Sequence, residues 1–180
     1  MEKQGNTFIV DADDFCEGNS GFETLRSIKH QVPDFKISLF TIVGKCSIEF
    51  LEKMSELDWI RLYPHGLYHK TSRECENWSY NESLEYLRMC EIFGVYRECF
   101  KAPGWQISDG MYKALDEKGW VVADQAYNNE RRPKDLEAYI LDSPNKLHFH
   151  IGHMGGHNVN EIGFYKDYLM SLNKHKFEFI

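Results

Sequence analysis

The residues of this chain best equipped for chemistry are carboxylates and imidazoles, and both come in short runs. Asp11, Asp13 and Asp14 directly follow the apolar Phe8-Ile9-Val10, where a carboxylate is expensive to solvate unless a partner is present. A surface turn would explain an adjacent acid pair standing alone, and a metal is the partner that explains this one. Six of the eight histidines fall in two clusters, His65 and His69, then His148, His150, His153 and His157. His65-Gly-Leu-Tyr-His69 spaces two imidazoles four apart, which on a helical turn brings both to one face. With one carboxylate, Asp14, they form the three-ligand set of an open catalytic zinc site whose fourth position is left to water. Neighbouring side chains point to opposite sides of an extended backbone, so one of Asp13 and Asp14 can bind a metal while its neighbour faces the substrate side. Attack of metal-activated water on a carbonyl then needs a base for the water proton and an acid for the leaving group. Asp13 suits the base. The acid is one of His148, His150 and His153; His150, closest to the strand end, is the choice, and the others can be donors that orient ligands or carboxylates.

These groups need a frame that brings them together. Short β-rich runs alternate with amphipathic stretches, predicting strands over 7–12, 36–43, 59–63, 98–102, 120–124, 139–141, 146–151 and 176–179. Helices are expected from Ser20 to near Pro33, with Ser20 and Glu23 as a capping box, and over 47–57, 82–93, 109–118 and 160–172. Such βα alternation implies parallel strands with crossover helices, either a doubly wound sheet or a barrel short of eight full units. In both, reactive groups gather beyond the carboxyl ends of strands. The acidic run, His65 and His69, Lys101-Ala-Pro-Gly-Trp105, Asp124, and His148, His150 and His153 follow or end five different strands, so they should meet on one rim. Gly152, Gly155 and Gly156 around His153 suggest a tight turn, without the order of a phosphate-binding loop.

The chain has 180 residues, 42% of them apolar, with a net charge of −7, which fits one domain with one substantial core over residues 1–180. Its acidic balance argues against a surface that tracks nucleic-acid phosphates. No run of apolar residues reaches the length of an export signal or a membrane span, so the expectation is a cytoplasmic protein that does not engage a membrane. The five cysteines, Cys16, Cys46, Cys75, Cys90 and Cys99, are odd in number and lack a C-x-x-C pair, which points to reduced, mostly buried thiols rather than to disulfides or a thiolate zinc cluster.

Taken together, Val10-Asp-Ala-Asp-Asp-Phe15, His65-x-x-x-His69, Phe100-Lys-Ala-Pro-Gly-Trp105 and Leu147-His-Phe-His150 resemble the successive motifs of the polysaccharide deacetylase (NodB-homology) family of carbohydrate esterases. Order and spacing agree: His65 lies 51 residues after Asp14, and Lys101 lies 32 after His69. The resemblance implies an α/β fold, a distorted or incomplete (β/α) barrel of about seven parallel strands. It further implies a divalent metal, usually zinc, on Asp14, His65 and His69, with Asp13 as base and a last-strand histidine, most naturally His150, as acid. The reaction implied is removal of an N-acetyl group from an amino sugar. Lys101 stands where the family commonly has an arginine that orients the base, which keeps the charge and loses the planar fork. The first motif, Ala-Asp-Asp-Phe, is also similar to that of the YdjC-like deacetylases of small oligosaccharides, which favours a short, soluble glycan.

Trp105, Tyr68, Trp78 and Tyr127 fall in expected rim loops where an aromatic face can stack on a sugar. Trp105 and Tyr68, with Asp124 and His153, are the substrate-binding candidates. Trp59 and Trp120 open strands and read as core. Lys70, Arg73, Arg131 and Arg132 offer a local basic rim. Two other functions remain compatible with the same residues: a glycan-binding or scaffold protein without turnover, and a metal-dependent deformylase or esterase, since a zinc-hydroxide does not choose its acyl group.

Overall fold

The structure is a computed structural model that describes residues 7–124, 138–140, 146–154 and 161–180. Tyr127, Arg131, Arg132, Gly155, Gly156 and His157, singled out above, lie outside the described residues, as do the first residue expected of the last helix and the last expected of the sixth strand. Among the described residues eight strands and five α-helices follow one another as β1 (Thr7–Phe15), α1 (Gly21–Gln31), β2 (Ile37–Thr41), α2 (Ile48–Ser55), β3 (Ile60–Pro64), α3 (Tyr80–Phe93), β4 (Cys99–Phe100), α4 (Asp109–Lys118), β5 (Val121–Asp124), β6 (Ala138–Ile140), β7 (Lys146–Ile151), α5 (Ile162–Ser171) and β8 (Lys176–Glu178). Every strand pairing is parallel.

The strands run β3-β2-β1-β7 in one sheet and β4-β5-β6 in a second. A parallel bridge from Leu62 to Tyr96, with the Arg97 amide on the Leu62 carbonyl at 3.0 Å, links β3 to the approach of β4. Seven strands therefore follow each other in barrel order, while among the described residues no ladder joins β6 to β7. Short β8 is the eighth strand. It pairs with the first half of β1 on the edge whose second half pairs with β2.

Alternation on β1 sorts its side chains. Phe8, Val10 and Ala12 face outward and join Ile37, Leu39, Ile60, Leu62 and Ile151 in a core with Leu25, Ile28, Leu51 and Leu169 from α1, α2 and α5. A second core forms where Tyr86, Leu87 and Cys90 of α3 meet Met111, Ala114 and Leu115 of α4 over Phe100 and Val122. Each such aliphatic side chain contributes about 1.5–3 kcal/mol on burial. The opposite strand faces turn inward, where Phe40, Tyr63, Cys99 and Ala123 cluster. At that inner end the Tyr63 hydroxyl donates to the Ile180 carbonyl at 2.7 Å, and the Ile180 amide donates to Ser38 Oγ at 3.1 Å.

Serine caps begin three helices: Ser47 accepts from Phe50, Ser79 from Glu82 and Ser108 from Met111. The capping box expected at Ser20 is not formed. Ser20 has helical angles and makes no side-chain cap, and Asn19 Oδ1 accepts from the Gly21 amide at 2.7 Å instead. Glu23 pairs with Arg26. A complete capping box sits two crossovers later, at Ser79 and Glu82 of α3. Trp59 and Trp120 are buried, as are all the cysteines except half-buried Cys46, and all five thiols are free. Burial pushes the Cys90 and Cys99 thiols up to about 12. No helix among the described residues is long and apolar enough to cross a membrane.

Candidate metal and catalytic site

The end of β1 departs from a regular strand. Ala12 pairs with Leu39 and Phe15 with Thr41, so three steps on β1 face two on β2, and Asp14 takes a positive φ of 62°. This bulge corrects the expectation that Asp13 and Asp14 point to opposite sides. The extra residue re-aims the chain, as bulges do beside active sites, and both carboxylates enter one cavity. Positive φ at a non-glycine residue costs free energy and persists where the surroundings over-determine it.

His65 and His69 also meet by another route than the helical turn expected for their spacing. Residues 65–69 form a loop in which Gly66 has φ +72° and His69 φ 49°. The Glu74 carboxylate accepts hydrogen bonds from the amides of Leu67 (2.9 Å), Tyr68 (2.9 Å) and His69 (3.1 Å). A Cβ on Gly66 would collide with that carboxylate and with Pro103. Glu74 thus folds the loop around itself, and nothing in the H-x-x-x-H spacing announced it.

The result is a compact set of donors. Asp14 Oδ1 lies 3.3 Å from His69 Nε2 and 3.6 Å from His65 Nε2, and all three residues are buried. His65 Nδ1 faces the Lys101 carbonyl at 2.8 Å. A carbonyl only accepts, so Nδ1 carries the proton and the Nε2 lone pair is aimed at a carboxylate oxygen. Burial outweighs the pull of Asp13 and Asp14 and lowers the His65 pKa, which favours this neutral form. Two electron-pair donors turned towards each other fit a cation between them, and a carboxylate with two imidazoles is a zinc-like set. His153 Nδ1 lies 2.8 Å from Asp14 Oδ2, on the far side of that carboxylate.

Asp13 belongs to a second, deeper group. Lys101 Nζ has no exposed surface; it donates to Asp13 Oδ1 at 2.8 Å and to Asp11 Oδ2, and packs 4.1 Å from the Phe40 ring centre. Asp11 also meets His148 Nε2, and His150 Nδ1 at 2.9 Å. Burial is the largest single influence and would raise both aspartates, but the Lys101 ammonium together with the imidazoles overcomes it: with His65 and His150 it holds Asp13 below the usual carboxylate range, and with His148 and His150 it holds Asp11 well below it. Reciprocally, burial opposes the Lys101 charge, yet the two carboxylates raise its pKa. His150 is likewise raised, with the Asp13 and Asp11 carboxylates overcoming burial. Asp11, His148 and His150 have metal-ligand spacing of their own, but the ammonium already occupies the cation's place on Asp11.

Asp13, Asp14, His65, His69, His150 and His153 line a cavity of about 430 Å³ together with Ser72, Gly104, Trp105, Gly152 and Glu161. Asp11, Lys101 and His148 lie outside that lining. Glu161 Oε2 accepts from the Gly152 amide at 3.1 Å, and its own amide reaches the His153 carbonyl at 3.0 Å, tying the end of β7 to α5. Trp105, at φ 55°, sets its ring 6.0 Å from that of His150. Tyr68 is exposed and outside the lining. Trp78 packs edge-on against Tyr86 in the second core rather than at the cavity. Arg73 is paired with Glu76, Lys70 lies over the Tyr68 ring, and Asp124 closes β5. Sequence reasoning underrated Asp11 and missed Glu74 and Glu161. Asp11 carried a signal, since it lies two residues before Asp13 on the same strand face.

The fold is a parallel βα frame with carboxylates and imidazoles gathered at the carboxyl ends of its strands. Comparison with solved structures places the chain in the fold of the CE4 esterases and deacetylases. A family 4 acetyl xylan esterase from Clostridium thermocellum, solved with cobalt, superposes with a TM-score of 0.66 at 12% identity, covering 97% of this chain and 87% of that one. A peptidoglycan N-acetylglucosamine deacetylase gives 0.62 at 13% identity, covering 99% and 92%. A CE4 family pseudoenzyme from Bacillus anthracis gives 0.58 at 15% identity, covering 98% and 65%. No protein-family model matches the sequence, and no curated protein does. The fold agrees with the resemblance of the four motifs.

Proposed function

We propose that residues 1–180 act as one catalytic domain, a metal-dependent carbohydrate deacetylase that removes an N-acetyl group from an amino sugar or short glycan. One observation carries this reading: Asp14 Oδ1 stands 3.3 and 3.6 Å from two imidazole Nε2 atoms, in a cavity that also holds a second carboxylate, Asp13, and a third imidazole, His150. A divalent ion held by Asp14, His65 and His69, zinc by its donor set, would polarise the acyl carbonyl and bring the pKa of a water towards about 7.

Asp13 is the base. Its Oδ1 is engaged by Lys101 at 2.8 Å, so Oδ2 is the oxygen left to accept a proton from the attacking water. Lys101 keeps that carboxylate ionised and fixed. His150 is the acid for the leaving amine. Its Nδ1 is bound to Asp11, which turns Nε2 towards Asp13 Oδ2 at 3.6 Å and the cavity between them. His148 does not line the cavity, and the His153 side chain is 44% exposed with Nδ1 on Asp14, so His150 suits the role better than either. The cavity falls in the size range of small-ligand sites, about 300–1,000 Å³, which supports a short glycan, with Trp105 as the stacking wall. His153 steadies Asp14, and the exposed Tyr68 is a contact for a longer substrate.

Lys101 in place of arginine, and a pseudoenzyme with the same fold, favour one second reading, glycan binding without turnover. Metal analysis of the purified protein and of Asp14→Asn, with acetate release measured on N-acetylglucosamine oligomers and formate release on their N-formyl counterparts, separates the two. Metal that is lost in Asp14→Asn, together with acetate, supports the deacetylase. Formate would make it a deformylase, and oligomer binding with neither acid released would support the second reading.

A further inference from the structure

Asp11 does not line the cavity, yet it bonds three side chains of the site, Lys101, His148 and His150. It is fully buried, and the one ammonium beside it, Lys101, is shared with Asp13. It takes two imidazoles as well, His148 on Oδ1 and His150 on Oδ2. The register sets this up, because Asp11 pairs with His150 and Ile9 with His148 across β1 and β7.

We propose that Asp11 is the positioning residue for both proton-transfer groups, holding Lys101 against Asp13 and fixing the His150 imidazole with its proton on Nδ1. The inference rests on the roles proposed above for Asp13 and His150. An ionised carboxylate only accepts, so His150 Nδ1 must donate, and Nε2 becomes the atom that exchanges protons with the cavity. An ammonium lacks the planar fork that would let it grip one carboxylate in a fixed direction. Asp11 and Asp13 together define two of its three donor directions, and the Phe40 face packs against it. A single carboxylate oxygen, Asp11 Oδ2, therefore links the base side of the site to the acid side.

The test is ¹⁵N NMR of the histidine side chains in metal-free protein, wild type and Asp11→Asn, alongside kcat, KM and metal content of the loaded protein. The wild type should show His150 with its proton on Nδ1, and Asp11→Asn should shift it towards the Nε2-protonated form. In the same variant kcat should fall by about 10²–10⁴-fold, with KM and metal content changed less than about threefold. An unchanged His150 tautomer in a folded Asp11→Asn protein overturns the proposal, even if stability falls. If that variant does not fold, the wild-type spectrum still decides, because a neutral His150 ring, observed at a pH above its titration, with its proton on Nε2 instead of Nδ1 would by itself refute the assignment. The spectra report on Asp11 whether or not acetate is released, so failure of the deacetylase reading stays separate from failure of this one.

Discussion

Lys101→Met exchanges a fully buried ammonium for an apolar group of similar length, and its effect can be worked out from the site. The ammonium serves two buried carboxylates, Asp11 and Asp13. Removing one partner of a buried ion pair costs about 3–5 kcal/mol, and with two carboxylates stranded the upper half of that range applies. In a chain of this size each kcal/mol moves Tm by about 2–4 °C, so Tm should fall by roughly 8–20 °C at pH 7. The pH dependence has a definite sign. Asp11 and Asp13 are held below their unfolded values, so their contribution is complete above about pH 4 and is lost as pH falls through the folded values. Lys101 is held above its own, so its contribution is complete below about pH 10 and is lost only in stronger alkali. In the variant burial is opposed only by imidazoles; the carboxylates take up protons as pH falls from 7, and a protonated acid needs no cation. The gap between wild type and Lys101→Met should therefore be widest near pH 7 and narrow towards pH 4.5. Calorimetric melts in chelator at both pH values measure it. A drop below about 2 °C at pH 7, or a gap that stays constant with pH, would refute the buried-pair account.

Glu74→Ala removes the acceptor of three amides in the loop that carries His65 and His69; stability should fall by about 2–4 kcal/mol and metal affinity by about 10–100-fold, read by denaturant melts and metal titration. His150→Gln should lower kcat by about 10²–10⁴-fold. Because the carboxylates raise the His150 pKa above its ordinary value and the acid must be protonated, wild-type turnover should decline as pH rises through a value above about 6.5, and a pH–rate profile of the variant should lack that limb.

Hydrophobic periodicity predicts each of the eight strands and five α-helices among the described residues, and the rule that chemistry gathers at strand carboxyl ends predicts Asp13, Asp14, His65, His69, His150 and His153 on one rim. What it missed has a common physical cause. Periodicity assumes a regular backbone, and the two key turns of the site are irregular. Alternation put Asp13 and Asp14 on opposite faces because it has no term for the inserted residue of a bulge. Helical spacing paired His65 with His69 for the right reason of proximity and by the wrong geometry, since the loop is folded around Glu74, a contact between side chain and backbone amides that leaves no spacing signature. Ser20 was read as a cap from residue type alone, while Asn19 one position earlier offers the same oxygen to the same helix end. Asp11 looked like one more acid of a run; only the register of β1 against β7 shows what it faces.

The bulge has a consequence for how the chemistry can be tuned. Asp13 and Asp14 are joined by one peptide unit, whose Cα atoms stand about 3.8 Å apart whatever the rest of the chain does. On the roles proposed for them, the base Asp13 and the ligand Asp14 are therefore calibrated to each other by covalent bonds, whereas the proposed acid, His150 on β7, is set against them by hydrogen bonds between strands. Sliding or breathing of β7 against β1 would change the reach of His150 to the departing group and leave the spacing between Asp13 and Asp14 intact. Substitutions along that seam should then discriminate between leaving groups, amine against alcohol, far more than they alter how water is made nucleophilic.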